Sequence, residues 1–442
     1  MKFYKTVALQ FVLFIINLGN IQAQNPISPP GVYIADPSPK VWEDGNLYVY
    51  GSTDESCEQY CSAKHDVLYT SDMINWEIAD SVFASTGIND EVPYNETLLF
   101  APDVEKKGDM YYMYYCQPYP QAPEGVATSK SPLGPFGNGQ KIDLGGYNQI
   151  DPSVFIDDDG TAYYLWGQFS LKMARLKPNM KELDKISIQT DVITEEDHFF
   201  HEGAYLTKRD DIYYLVYADI SREDKPTCIG YATSTSPFGP YTYGGVIVDN
   251  SGSNPGNWNN HGSIAKFKDQ WYVFYHRSTH GCKTMRKAAI EKIHFLPNGS
   301  IPEVEMTSQG AGPPLDAKQE IDAASACLLH GNVRIEAISA HNEGLTQFRN
   351  GDEAIYKFLD FGKGIKSMSI RIRRLNGGKL HIFSDKPWHK RLAIVEISSG
   401  TMQNDWETLT LEVNSESGIH ALWLQAHGGE GDLFEIDWLK FE

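Results

Sequence analysis

Three carboxylates and a histidine occupy equivalent places in a unit that recurs along this chain. Asp36 and Asp151 each stand nine residues ahead of the glycine of an Asp-Gly turn, at Gly45 and Gly160. Glu202 and His261 stand eight ahead of Asp210 and Asp269, and Phe100 stands eight ahead of Gly108. Asp-Pro and Asp-Gly are common turn formers, so any one of these acids alone says little. Together they say more. Asp36-Pro37-Ser38 and Asp151-Pro152-Ser153 share a tripeptide at one repeat position, and His201-Glu202-Gly203-Ala204-Tyr205 puts a Glu where turn formation does not ask for one. Carboxyls gathered in one pocket push each other's pKa values apart, so that one keeps a proton while another stays ionised. Cleavage of a glycosidic bond needs that division: an acid for the leaving oxygen and a base for water.

The elements that must position these residues follow from the same repeat. Each turn leads into an aromatic and β-branched run: Leu47-Tyr48-Val49-Tyr50, Met110-Tyr111-Tyr112-Met113-Tyr114, Ala162-Tyr163-Tyr164-Leu165-Trp166, Ile212-Tyr213-Tyr214-Leu215-Val216-Tyr217 and Trp271-Tyr272-Val273-Phe274-Tyr275. Such runs read as strands, and the turns as hairpins. Successive copies lie about 50 to 60 residues apart, which suits a four-stranded propeller blade with long loops. Later strands echo too: Gly125 to Phe136 and Gly230 to Tyr241 both run into a Ser-Pro-x-Gly-Pro-aromatic turn. Amphipathic helix patterns are nearly absent. The expectation is an all-β chain: a five-bladed β-propeller over 24–307, a Gly/Pro linker over 308–317, and a β-sandwich (jelly-roll) domain over 318–442, where alternating segments are separated by Gly, Asn and Asp turns. If the strand-start residues lie on innermost strands, all five converge at one mouth of the central channel.

Composition narrows the partners. A net charge of −20 argues against nucleic acid or an anionic membrane surface. The 25 Tyr and 9 Trp favour strands and also suit packing against sugar rings. Met1-Lys2-Phe3-Tyr4-Lys5, an apolar run to about Leu18 and a small residue at Ala23 read as a signal peptide over 1–23, hence a secreted or periplasmic protein. Six cysteines fit no zinc spacing; Cys57 and Cys61, close together in one polar loop, are the pair expected to form any local bridge.

From about Asn25 to Ser308 the chain resembles glycoside hydrolase family 43, on Ala35-Asp36-Pro37-Ser38, Phe100-Ala101-Pro102-Asp103-Val104, Ile150-Asp151-Pro152-Ser153-Val154-Phe155, His201-Glu202-Gly203 and Asn260-His261-Gly262-Ser263. The resemblance implies a five-bladed inverting glycosidase in which Asp36 is the general base, Glu202 the general acid, and Asp151 the charge that orients Glu202 and keeps its proton in place. It implies His261 as an axial residue associated with a central water or calcium ion, and Arg277 as a substrate contact. Phe100, where the family usually has Trp, is implied as a platform under the sugar; Trp166 is a further candidate for the pocket wall. No cofactor is required.

The C-terminal part resembles a family 6 carbohydrate-binding module, on Gly351-Asp352, Tyr356 to Gly362, Gly377 to Ile382, Trp406, Gly418 to Leu424 and Phe434 to Phe441. Asp322 and Asp437 fall where that family holds a structural calcium. Glu353-Ala354 and Thr401-Met402 replace its sandwiching aromatics, leaving Trp388 as the exposed candidate platform. The expected activity is that of an α-L-arabinofuranosidase or β-xylosidase acting on plant polysaccharide or oligosaccharide. The alternatives are the same fold on galactofuranosyl or galactan linkages, and a non-catalytic sugar-binding propeller.

Overall fold

The computed structural model describes residues 23–118, 124–222, 225–400 and 406–442. The leader expected over 1–23 lies outside the described residues apart from Ala23. Strands dominate, and the longest α-helix among the described residues is the four-residue Glu195–His198.

Five antiparallel sheets follow one another in sequence order, four of four strands and a fifth of three. Their first strands are Ile34–Val41, Phe100–Lys107, Ser153–Ile156, Phe200–Arg209 and Ser263–Phe267. Each of these five touches the next, and the last touches the first, so they form a closed ring around an axis. The N-terminal segment completes the ring beside the fifth sheet: Ile27 N–H donates to Ala288 O at 2.8 Å, and Asn25 Nδ2 to Ile290 O at 2.9 Å. Residues 25–27 thus cover the outer edge of the last blade, which would otherwise be an open sheet edge.

The aromatic runs explain why blades pack. Successive side chains of a strand point to opposite faces. In the third blade Tyr163 and Leu165 enter the core shared with Leu206 and Tyr217 of the fourth, while Tyr164 and Trp166 enter the core shared with Tyr114 and Val126 of the second. Tyr214, Val216, Val273 and Tyr275 fill the next interface. Phe274, Ile290, Ile34 and Val49 close the ring. A second strand buried on both faces reads as an unbroken apolar run, as these do.

The C-terminal domain is two six-stranded sheets enclosing a core that includes Tyr356, Phe361, Leu422, Phe434 and Phe441. The segment expected as a linker over 308–317 is tied down at both ends. Ser308 N–H donates to Lys357 O, and Leu315–Asp316 pairs in parallel with Leu359 and Asp360. The domains also meet through Leu329 N–H to Gly252 O at 2.8 Å and a buried Lys287–Glu343 ion pair at 2.7 Å.

The expected Cys57–Cys61 bridge is not formed. Cys57 joins Cys282, 225 residues away, so the first and fifth blades are linked covalently. The Cys61 thiol instead turns inward, 3.4 Å from Arg286 Nη2, and is buried with Cys116, Cys228 and Cys327.

Candidate active site

Three of the five inner strands do not enter the ring smoothly. Register shifts interrupt pairing between Ala35 and Ser38, between Phe100 and Asp103, and on either side of Glu202. Asp36 and Asp151 sit at positive φ, 52° and 61°. Bulges and left-handed residues re-aim a side chain that a regular strand would turn into a blade interface. Gly203 shows the constraint from the other side. At φ +67° it lies flat against His261, and a Cβ there would fall 2.6 Å from the imidazole.

These kinks bring Asp36, Phe100, Asp151, Glu202 and His261 to the wall of one pocket of about 230 Å³. That is small for a ligand site and fits a single sugar ring better than a long chain. A larger cavity of about 680 Å³ lies between Met73, Phe267, Tyr272 and Gly312, and none of the five residues lines it. Size alone therefore misdirects; the crowding of ionisable groups marks the smaller pocket.

Asp36 is the most constrained of the acids. Its Oδ1 lies 3.0 Å from Arg286 Nη1, and its Oδ2 accepts from Ser52 Oγ at 2.6 Å. Burial favours its neutral form, but the Arg286 guanidinium overrides this, with His261 and His276, and holds the carboxyl well below the usual range. Asp54 grips the other edge of the same guanidinium, at 2.8 Å to Nε and 3.0 Å to Nη2. His276 is fully buried; its Nδ1 lies 3.2 Å from the Asp36 backbone N–H and its Nε2 3.2 Å from Asn259 Oδ1. The same Nδ1 also lies 3.4 Å from Asp36 Oδ1. Burial lowers the pKa of His276, with Asp36 pulling the other way.

His261 behaves in the opposite way. Its Nδ1 faces Asp36 Oδ1 at 3.4 Å and Asp151 Oδ2 at 3.9 Å. Burial disfavours its charge, yet Asp36, Asp151 and Glu202 outweigh burial and raise its pKa to about 9. Asp151 is raised to about 8 by burial and by the charges of Glu202 and Asp36, with His261 pulling the other way. That shift favours the neutral form of Asp151, where the resemblance implies a charge. Glu202 Oε2 accepts from Gln168 Nε2 at 2.8 Å.

Two of the expected substrate contacts lie elsewhere. Arg277 is 2% exposed and points away from the pocket, with Nη1 3.2 Å from Ala326 O of the sandwich. Its neighbour His276 takes the inward face, because adjacent strand residues face opposite ways. Trp166 is 0% exposed and packs between the second and third blades, its indole N–H donating to Tyr147 O at 2.8 Å. Arg286 and Gln168 line the pocket in place of Arg277 and Trp166, and Tyr60 and Trp258 complete the wall. Asp322 caps the turn at Ala324, and Asp437 is held by Asn342 at 2.7 Å and Arg371 at 3.3 Å. Among the described residues no group of three or more His, Cys, Asp and Glu side chains gathers to hold a metal ion, at these positions or around His261. Trp388 is 79% exposed, Glu353 is bound by Gln425, and Thr401-Met402 lies outside the described residues.

The family model of glycosyl hydrolases family 43 matches residues 23–301, the stretch that forms the five-bladed ring and carries these acids. The chain belongs to glycosyl hydrolases family 43. As a family 43 protein it is an O-glycosyl hydrolase. Residues 324–442 match the carbohydrate binding module of family 6. A xylosidase/arabinosidase from Thermoclostridium stercorarium is 30% identical, over 92% of this chain and 96% of its own length. An arabinoxylan arabinofuranohydrolase from Bacillus subtilis is 27% identical, over 90% of this chain and 88% of its own. The crystal structure of a family 43 arabinoxylan arabinofuranohydrolase from Bacillus subtilis with cellotetraose is similar at TM-score 0.54 and 26% identity, over 95% of this chain and 98% of that one. A family 43 enzyme from Xanthomonas citri complexed with xylose matches at TM-score 0.56 and 26% identity, over 66% of this chain and 95% of that one.

Proposed function

We propose that this family 43 enzyme is exported and removes arabinofuranosyl or xylosyl units from plant polysaccharide or its oligosaccharides, with inversion. The observation that carries the reading is the gathering of Asp36, Asp151 and Glu202 on one pocket wall, with Arg286 3.0 Å from Asp36 alone; it holds Asp36 well below the usual carboxylate range, while burial raises Asp151 to about 8. Asp36 takes a proton from water as the water attacks the anomeric carbon. Glu202 gives its proton to the glycosidic oxygen, so the C–O bond breaks with its electrons leaving on a neutral alcohol. Asp151 shares the pocket wall with Glu202 and orients it. His261 balances the charge between Asp36 and Asp151. Phe100 lies against the sugar, and Trp258, 36% exposed at the pocket edge, offers a face to the next residue of the chain. The names of the relatives, which include xylosidase/arabinosidase, arabinoxylan arabinofuranohydrolase and beta-xylosidase, support the pentose class.

Glu202→Gln tests the assignment through leaving-group ability. A dinitrophenyl glycoside departs without an acid, so the variant retains most of the wild-type rate on it and loses about 10²–10⁴-fold on a polysaccharide. Asp36→Asn loses both. Equal losses of Glu202→Gln on the two substrates refute the acid role. Turnover of a galactofuranoside in preference to arabinofuranoside and xyloside refutes the pentose class, and retained configuration in the first product refutes inversion.

A further inference from the structure

The two strands of the fifth blade that hold Asp36 each have a second face. Gln270–Ser278 presents His276 inward and Arg277 outward; Arg286–Ile293 presents Arg286 inward and Lys287 outward. Arg277 and Lys287 are cross-strand partners, and both outward cations meet the C-terminal sandwich.

One sandwich carboxylate receives most of these contacts. Glu343 is buried, and its Oε2 lies 2.7 Å from Lys287 Nζ. Its Oε1 accepts from Gly31 N–H and from Tyr33 Oη, each at 3.0 Å. Lys287 Nζ reaches Pro29 O at 3.0 Å and stands 4.9 Å above the Tyr33 ring. Tyr33 leads directly into the strand that carries Asp36, and Lys287 directly follows Arg286. The two oxygens of Glu343 therefore hold the approach to Asp36 and the approach to Arg286 at the same time.

We propose that Glu343 is a positioning residue for the Asp36–Arg286 pair, and that the sandwich is a working part of the catalytic unit. A buried ion pair is a poor way simply to glue two domains, because desolvation cancels much of its attraction and apolar packing does as well. What directed hydrogen bonds add is geometry. Asp36 sits at a left-handed φ and its carboxylate depends on one guanidinium nitrogen, so a small slip of either strand misaligns the base against its water. Glu343 opposes that slip from outside the ring.

The inference rests on Asp36 being the base, so the experiment separates the two. Three variants are compared on nitrophenyl arabinofuranoside and xyloside, substrates too small to need a polymer-binding module: Tyr33→Phe, Glu343→Ala, and Lys287→Met with Glu343→Gln. The double change leaves no buried charge unpaired, keeps a carbonyl for Gly31 and Tyr33, and safeguards folding if Glu343→Ala melts. Thermal melts confirm that the proteins compared are folded. Glu343→Ala is expected to lose about 10–100-fold in kcat with KM within about twofold, the double variant to recover part of that loss, and Tyr33→Phe to lose a few-fold. Folded variants with wild-type kcat, or losses confined to KM, overturn the proposal. A readout without substrate decides the case in which the wild type turns over neither glycoside. In arginine-labelled protein, the Arg286 Nε–H signal, assigned by its absence in Arg286→Lys, is slow to exchange. Faster exchange in Glu343→Ala supports the clamp, and unchanged exchange overturns it.

Discussion

Arg286 and Asp36 are joined at 3.0 Å, Nη1 to Oδ1, across 250 residues of sequence, and Asp54 holds the same guanidinium from behind. The three form a buried acid–base–acid row in which one cation serves two carboxylates. Arginine suits the place because its planar fork can bind Asp54 through two nitrogens and still offer a third to Asp36.

Arg286→Met breaks this row and leaves both buried carboxylates without the guanidinium that serves them. Loss of one member of a buried ion pair costs about 3–5 kcal/mol of stability, read as a fall in Tm. Arg286→Lys keeps the charge but cannot reach both acids in one geometry. It is expected to fold and to lose about 10–100-fold in kcat, with the acid limb of its pH profile moved upward as Asp36 loses its main counter-charge. A Lys variant with the wild-type profile would show that the guanidinium geometry does not matter.

The pH dependence of kcat/KM follows from the two tuned acids. Activity needs Asp36 ionised, and its pKa is lowered, so rate is lost on acidification only below the usual carboxylate range. Activity also needs the proton held by Asp151, whose pKa is raised to about 8, so rate is lost as pH rises through about 8. His261 loses its charge near pH 9, on the same side. The expected curve is a broad bell with its alkaline limb near 8. Asp151→Asn removes the group that defines that limb and should displace it; a curve with the alkaline limb unmoved in Asp151→Asn rules out this proton as the one that counts.

Most of the ring was legible because its signal is repeated. Five turns at similar intervals, each followed by an aromatic run, carry more information than any one of them, and Asp36, Phe100, Asp151, Glu202 and His261 share a repeat position that survives folding as a shared pocket. The residues that were missed act across the repeat. Arg286 and Asp54 meet over 232 residues, and no local pattern marks either of them. Arg277 was expected in the pocket, but its side of the strand meets the sandwich, while the adjacent His276 turns toward Asp36. Trp166 lies on a second strand, whose two faces both meet neighbouring blades, so neither opens onto the pocket. Cys57 is nearer in sequence to Cys61 than to Cys282, but closure of the ring brings the first and fifth blades together, and spatial adjacency decided the pairing.

That pairing also bears on the pocket wall. The disulfide joins the loop that carries Asp54 and Tyr60 to the loop that precedes Arg286, and Thr284 Oγ1 donates to Ser56 O at 2.7 Å beside it. Tyr60 stacks on the Arg286 guanidinium at 4.9 Å, so the wall and the cation move together. A bridge closing 225 residues restricts the unfolded chain strongly, with an expected contribution of about 2–5 kcal/mol. Reduction by dithiothreitol, or Cys57→Ser with Cys282→Ser, should lower Tm by several degrees. It should also raise KM for aryl glycosides while leaving most of kcat, because the loops loosen but Asp54 still holds Arg286. The two effects are measured on one sample, and a fall in Tm with KM unchanged would confine the disulfide to stability alone.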